Sequence, residues 1–210
     1  MPENRTVFTP QDYTRLRGLE GITDEQVEVH LELYEGYVKR ANALIEQTAS
    51  LAKGGKVETP AFTEQRRRLG WELNGMRLHE LYFDGLRPGG GGDLDAAGPL
   101  GQAAARQYGS VDAWKTDLMG VAEMPGVGWA ITYADPVTGR LANLWIEQHH
   151  EGHPAGWTPV LVLDVWEHAF SVYLKPTERA KYLEDFFANV DWAVPVSRLE
   201  QKRMGQTAKR

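Results

Sequence analysis

Asp164 and His168 stand four residues apart at the end of the apolar run Pro159-Val160-Leu161-Val162-Leu163. The run is short, apolar and rich in β-branched residues, so it reads as a buried strand feeding a helix that starts near Trp166. An Asp at the strand end and a His in the first helical turn can then reach one metal ion. Each residue also has an ordinary explanation: an Asp before a helix caps it, and a solitary core His bonds to backbone. Further imidazoles converging on the same point are what would turn the pair into a metal site.

The composition restricts what such a site can hold. With 210 residues, 42% of them hydrophobic, the chain has material for one good-sized domain or two tightly joined halves, and it shows no repeats. It has no cysteine, so any metal must be held by His, Asp or Glu, a set that suits iron, manganese or zinc. No run approaches the roughly 18 apolar residues of a membrane span. Met1-Pro2-Glu3-Asn4-Arg5 leads into no apolar signal core, and a cytoplasmic location is expected. A net charge of -6 argues against a nucleic-acid partner, and Arg66-Arg67-Arg68 reads as a solvated helix face. Seven Trp and eight Tyr suit a core whose polar edges find partners; they would equally wall a water-poor metal pocket.

The elements that must position these groups follow from pattern. Thr23-Asp24-Glu25-Gln26 fits a capping box, and Val27, Leu31, Tyr34, Val38, Ala41 and Leu44 follow at helical spacing. A helix from about 24 to 52 is predicted, stopped by Lys53-Gly54-Gly55-Lys56. A second helix starts near Thr59-Pro60 or Thr63 and runs to about Phe83, before Asp84-Gly85 and the linker Pro88-Gly89-Gly90-Gly91-Gly92. His30 lies 24 residues before Gly54 and His79 lies 24 after Gly55. At about 1.5 Å rise per residue, equal distances from the hinge put the two at one height on facing helices. A surface or core role remains the alternative for either.

Beyond the linker, residues 99–124 read as two helices broken at Gly109-Ser110, with Ser110 as N-cap. Three strands follow, Val127 to Tyr133, Leu141 to Glu147 and Thr158 to Leu163, the first two joined by the turn Asp135-Pro136-Val137-Thr138-Gly139. Helices are predicted over Trp166 to Leu174 and Thr177 to Asn189, and a frayed tail beyond about Leu199, with Lys202, Arg203, Lys209 and Arg210. The fold class is α+β. A long antiparallel helical hairpin (1–92) precedes an α/β half (93–210) with a three-stranded antiparallel sheet.

His30, His79, Asp164 and His168 thus come from four elements, two in each half, so a shared metal would pin the halves across the glycine linker. Asp164-Val165-Trp166-Glu167-His168-Ala169 is the most specific of several strings that match one family. The others are His79 with Tyr82-Phe83, Tyr37-Val38 followed by Asn42, Gly128-Trp129-Ala130, and Asn189-Val190-Asp191-Trp192. Over nearly its whole length the chain resembles the iron/manganese superoxide dismutases. The resemblance implies one manganese or iron ion per chain on those four ligands, with water or hydroxide as a fifth. It implies conversion of superoxide and protons to dioxygen and hydrogen peroxide. It also implies a homodimer or homotetramer in which Glu167 reaches the partner subunit's His168.

The same resemblance suggests roles for the surroundings. Tyr37 matches the gateway tyrosine, Trp129 and Trp166 the aromatic walls, and Arg179, three before Tyr182-Leu183, the channel arginine. Arg179 has the alternative of pairing with Glu178 or Asp185. Gln148 lies 16 residues before Asp164, where manganese-type members carry the glutamine that bonds the metal-bound solvent. Gly75, four before His79, occupies the position where iron-type members carry it, so manganese is favoured, with room beside Gly75 for Gln148 to reach in and bond Tyr37. Three departures stand beside the matches. The interval from His30 to Tyr37 is seven residues instead of eight, which implies a regular helix in place of a one-residue π-bulge, with both side chains still facing the metal. Tyr34 stands where the channel histidine falls, and Ser171 replaces an interface tyrosine.

Rival readings remain at this level. The protein can be a metal-binding member of the fold without dismutase activity, or another metalloenzyme with three His and one Asp as ligands. His149, His150 and His153 can hold a separate zinc or copper ion, although Gly152 and Pro154 deny them a helix. A loop shifted by one residue would instead put His149 beside the main site.

Overall fold

The computed structural model describes residues 8–207, with 202–207 as backbone alone. Two long helices, α1 (Asp24–Lys53) and α2 (Pro60–Asp84), form the hairpin. Thr23 Oγ1 accepts from Gln26 N at 3.2 Å and Thr59 Oγ1 from Phe62 N at 3.4 Å. Pro60 opens α2, where a missing N–H leaves no helical bond unmade. Val27, His30, Tyr34, Tyr37, Val38 and Ala41 of α1 are buried at three- and four-residue spacing, as an inward stripe requires. No π turn interrupts α1.

After the linker come α3 (Pro99–Tyr108) and α4 (Val111–Ala122), the latter capped by Ser110 through Ala113 N at 3.0 Å. The sheet has the order β2-β1-β3, all antiparallel, with β1 (Trp129–Ala134) between β2 (Leu141–Ile146) and β3 (Thr158–Asp164). Every residue of β1 is buried, as expected of a strand covered on both faces. Its register pairs Trp129 with Ile146 on one side and Asp164 on the other, bringing a wall residue beside a candidate ligand.

The helix expected over Trp166 to Leu174 is only a 3-10 turn, Glu167–Ala169. Gln26 is the physical reason. Its amide donates to His168 O at 2.7 Å and accepts from Val172 N at 2.9 Å, and those two backbone groups would bond each other in an α-helix. Half of the expected capping box is lost to the same contact, since Gln26 does not turn back to Thr23.

α5 spans Arg179–Ala188, preceded by a 3-10 turn at Pro176–Glu178. The expected frayed tail is instead part of α6 (Ala193–Thr207). Asp191 Oδ1 accepts from Ala193 N at 3.2 Å. Arg198 donates to Leu81 O at 2.8 Å and Val160 O at 3.3 Å, and Leu199 is buried, so tertiary contacts hold what local pattern leaves unmarked. Lys209 and Arg210, and the Met1 to Arg5 stretch, lie outside the described residues. One buried cluster runs through both halves and includes Tyr37, Phe83, Trp129, Val162, Phe170 and Tyr182. Among the described residues, no helix is long and apolar enough to cross a membrane.

Candidate metal centre

Asp164 ends β3 with one carboxylate oxygen fixed and the other aimed inward. Oδ1 accepts from Trp166 N at 2.9 Å. Oδ2 lies 3.1 Å from His168 Nε2, 3.2 Å from His30 Nε2 and 3.6 Å from His79 Nε2. One ligand atom from each of the four residues falls within a 4.8 Å span, and no other such group occurs among the described residues. The His30 and His79 rings are 5.1 Å apart, so equal distance from the hinge does place them at one level.

His79 shows what the cluster is built to receive. Its Nδ1 donates to Gly75 O at 2.6 Å. A carbonyl only accepts, so the proton is on Nδ1 and the Nε2 lone pair faces the centre. That Nε2 is buried without a hydrogen-bond partner, an arrangement that costs on the order of 1–3 kcal/mol unless something fills it. A metal ion is the group that three imidazoles and a carboxylate complete, and the donor set fits iron or manganese.

The electrostatics agree. Burial holds His30 and His79 below the usual imidazole range, and for His79 the neighbouring His30 adds to the effect. Burial by itself would raise the Asp164 carboxyl, but charge and hydrogen bonds from His168 and His30 overcome it and hold the group well below the carboxylate range. Neutral imidazoles at His30 and His79 with an ionised carboxylate at Asp164 are states that ligation needs.

Tyr37 stacks on His79 with ring centroids 5.2 Å apart, so the seven-residue interval does keep both side chains on the centre. Its hydroxyl is 2.7 Å from His149 Nε2, and Trp129 Nε1 donates to His149 Nδ1 at 3.1 Å. An indole N–H only donates, which leaves His149 Nδ1 unprotonated and puts the proton on Nε2. Burial keeps this ring neutral by pushing its pKa down to about 4. His149 therefore donates to Tyr37 Oη and leaves the hydroxyl hydrogen of Tyr37 free for another acceptor. Burial raises the Tyr37 hydroxyl to about 12, so it keeps that hydrogen.

This arrangement corrects the expectation for Gln148. Strand alternation would put Gln148 on the face of Ile146, which is buried against the sheet. The strand stops at Ile146, however, and the bend that follows turns His149 inward while Gln148 stays half-buried with no side-chain hydrogen bond among the described residues. Nor does Gly75 make room for Gln148. A Cβ at Gly75 would lie 2.5 Å from Tyr37 Cδ1, so the glycine accommodates the tyrosine ring.

Trp129 packs edge-on to His79 at 5.1 Å, and Trp166 stacks on His168 at 5.9 Å, so both expected walls are at the centre. Trp71 is a third wall, unanticipated in the sequence, 4.5 Å from the His149 ring. Arg68 lies over Trp71 at 4.9 Å and Arg40 over Tyr37 at 4.7 Å. Their Nε atoms each bond one oxygen of the buried Glu72 at 2.8 Å. Arg66, Arg67 and Arg68 are all exposed, as expected of a solvated helix face; Arg67 pairs with Glu64, and Arg68 in addition reaches the buried Glu72. The i,i+4 spacing of Arg68 and Glu72 was the signal available.

Other expected residues sit elsewhere. Arg179 donates to Met124 O at 2.8 Å and Gly126 O at 2.6 Å and pairs with neither Glu178 nor Asp185. Tyr34 Oη donates to Glu80 Oε1 at 3.0 Å and accepts from Gln11 N at 3.0 Å. Ser171 and Glu167 are exposed, and the Glu167 carboxylate has no partner among the described residues. His149, His150 and His153 diverge: His153 bonds Tyr133 and the His149 carbonyl, and His150 is 3.7 Å from Glu151. They form no second cluster.

Comparison with known proteins identifies the family. Residues 96–198 match the family described as iron/manganese superoxide dismutases, C-terminal domain. The chain is 34% identical over 197 residues to the superoxide dismutase (Fe) of Aquifex pyrophilus, covering 91% of each chain. It is 39% identical over 180 residues to the superoxide dismutase (Fe) of Cupriavidus metallidurans, covering 83% of this chain and 86% of that one. A superoxide dismutase (Mn) of Haloferax volcanii is 33% identical over 168 residues, covering 80% of this chain and 81% of its own. Similarity of this extent leaves one assignment: the chain belongs to the iron/manganese superoxide dismutase family.

Proposed function

We propose that this protein dismutates superoxide to dioxygen and hydrogen peroxide at one iron or manganese ion held by His30, His79, Asp164 and His168. The observation that carries the reading is the partnerless Nε2 of His79, buried in a group of four donors. A bound iron or manganese would supply the one-electron chemistry, in which one superoxide is oxidised and a second is reduced with two protons.

The chain's own residues prepare the pocket for that exchange. Three neutral imidazoles and one carboxylate leave net positive charge on a trivalent ion, which suits an anionic substrate. His149 holds the Tyr37 oxygen by donating to it, so the Tyr37 O–H is oriented as a proton donor beside His79. Trp71, Trp129 and Trp166 keep the surroundings poor in water. Arg179 enters as a clamp on the Met124-to-Gly126 loop that leads into Trp129.

The preference for manganese rested on Gln148, and with His149 in its place the choice between iron and manganese is open to metal analysis of protein purified from cells. The halves 1–92 and 93–210 are joined, in this reading, by ligands from both. Assembly as at least a dimer through Glu167 is supported by its exposed carboxylate, which has no partner among the described residues; sedimentation of a fully active monomer at micromolar concentration would refute it. Cytoplasmic residence is proposed on the sequence reading that no run approaches the roughly 18 apolar residues of a membrane span, and the lack of a nucleic-acid partner on a net charge of -6.

Metal content and superoxide consumption, measured on the same preparation, test the function. Full loading with dismutation proportional to iron or manganese supports it. Full loading without dismutation would leave a metal-binding member of the fold or a metalloenzyme of different activity.

A further inference from the structure

We infer that His153 is a positioning residue for the site, holding His149 at the angle from which it fixes Tyr37. The inference rests on the role proposed for His149 above.

Both nitrogens of His153 are engaged within the protein. Nε2 is 2.8 Å from His149 O and Nδ1 is 2.6 Å from Tyr133 Oη. Because a carbonyl only accepts, Nε2 carries the proton. In the neutral ring Nδ1 then accepts from the Tyr133 hydroxyl. Tyr133 lies in the central strand and is almost fully buried, so the brace is anchored in the sheet. A chain of contacts leads from Tyr133 through His153 to the backbone of His149, and through the His149 ring to Tyr37.

This contact replaces a backbone bond that the loop cannot make. In a helix the N–H of residue 153 would bond the carbonyl of residue 149. Gly152 has a φ of +90° and Pro154 follows, so the segment is not helical. The imidazole N–H bonds the same carbonyl in place of the backbone. Without it, two ring contacts from Trp129 and Tyr37 orient a histidine on an otherwise irregular loop, and the peptide carrying that ring is free to turn.

The test compares four variants of the metal-loaded protein: His153→Ala, His153→Gln, Tyr133→Phe and His149→Ala. Turnover, metal content, thermal midpoint and the reduction potential of the bound metal are read for each. His153→Ala is expected to keep its metal, to lose turnover by about tenfold, the lower end for groups that orient a metal's surroundings, and to shift the potential in the same direction as His149→Ala. His153→Gln, whose amide N–H can reach the carbonyl, should recover most of both. Tyr133→Phe should fall between, and it decides the matter if His153→Ala does not fold. Wild-type turnover and potential in His153→Ala, with His149→Ala impaired, would overturn the inference alone. Wild-type behaviour of His149→Ala would overturn the reading of His149 and this inference with it. Loss of turnover only in proportion to lost metal would also overturn it, since that marks a purely structural loop contact.

Discussion

His149 Nε2 and Tyr37 Oη lie 2.7 Å apart although 112 residues separate them in the chain. Trp129 sets the direction of that bond, because its indole N–H occupies the other ring nitrogen. His149→Ala should therefore keep the metal while lowering turnover by about 10- to 100-fold, the range seen when groups orienting a metal's surroundings are removed. Gln148→Ala should remain close to wild type. Steady-state dismutation with parallel metal analysis distinguishes the two, and the opposite ranking would restore Gln148 to the site.

His79→Ala removes the donor whose Nε2 has no other partner. Metal occupancy and thermal stability should fall together, because metal that binds the folded chain adds its binding energy to folding. For metal present at a hundredfold over its dissociation constant this is about 3 kcal/mol. Calorimetry with elemental analysis checks it, and unchanged occupancy would remove His79 from the ligand set.

The chelator-stripped protein should lose stability in mild acid. His30, His79 and His149 all have folded pKa values below the ordinary 6.5, because burial disfavours their charged forms. Below about pH 6.5 the unfolded chain binds protons that the folded chain refuses, so stability rises with pH there and falls on acidification. The slope is about 1.4 kcal/mol per pH unit for each group. His149 stops contributing to the slope near pH 4, and the depressed Asp164 extends the loss below the ordinary 3.8 in the same direction. Urea midpoints measured from pH 8 to pH 4 should be flat at first and then fall steeply. A flat profile through pH 5 would mean that these imidazoles are already solvated.

Glu72 is 1% exposed in its side chain and bonds Arg40 of α1 and Arg68 of α2, one on each oxygen. Glu72→Gln should destabilise the hairpin. Removing one partner of a buried ion pair costs about 3–5 kcal/mol when the charge left behind is buried, and because the arginines left behind here are half-exposed the cost falls to roughly 1–3 kcal/mol. Chemical denaturation measures the change, and an unshifted midpoint would show that stacking on Tyr37 and Trp71 holds the arginines without the carboxylate.

Where a structure depends on neighbours in sequence, it was legible there. Caps at Thr23 and Thr59, the glycines at 54 and 55, and helical spacing located α1 and α2 within a residue or two. Helical rise then set His30 and His79 at one height, and short apolar runs bounded by turn residues marked the three strands. The site's surroundings depend instead on contacts between residues far apart. Gln26 reaches across 142 residues to His168, takes the backbone groups a helix would have paired, and leaves a single turn where pattern indicated several. Arg198 holds α6 against Leu81 and Val160, beyond the reach of any local signal. His149 enters the pocket in place of Gln148 because β2 ends at Ile146, after which alternation no longer dictates which side chain points inward. Trp129 and Tyr37 then offer the donor and acceptor that an imidazole can satisfy together. Local propensity carries no information about those partners, since they meet only when the hairpin and the sheet have packed.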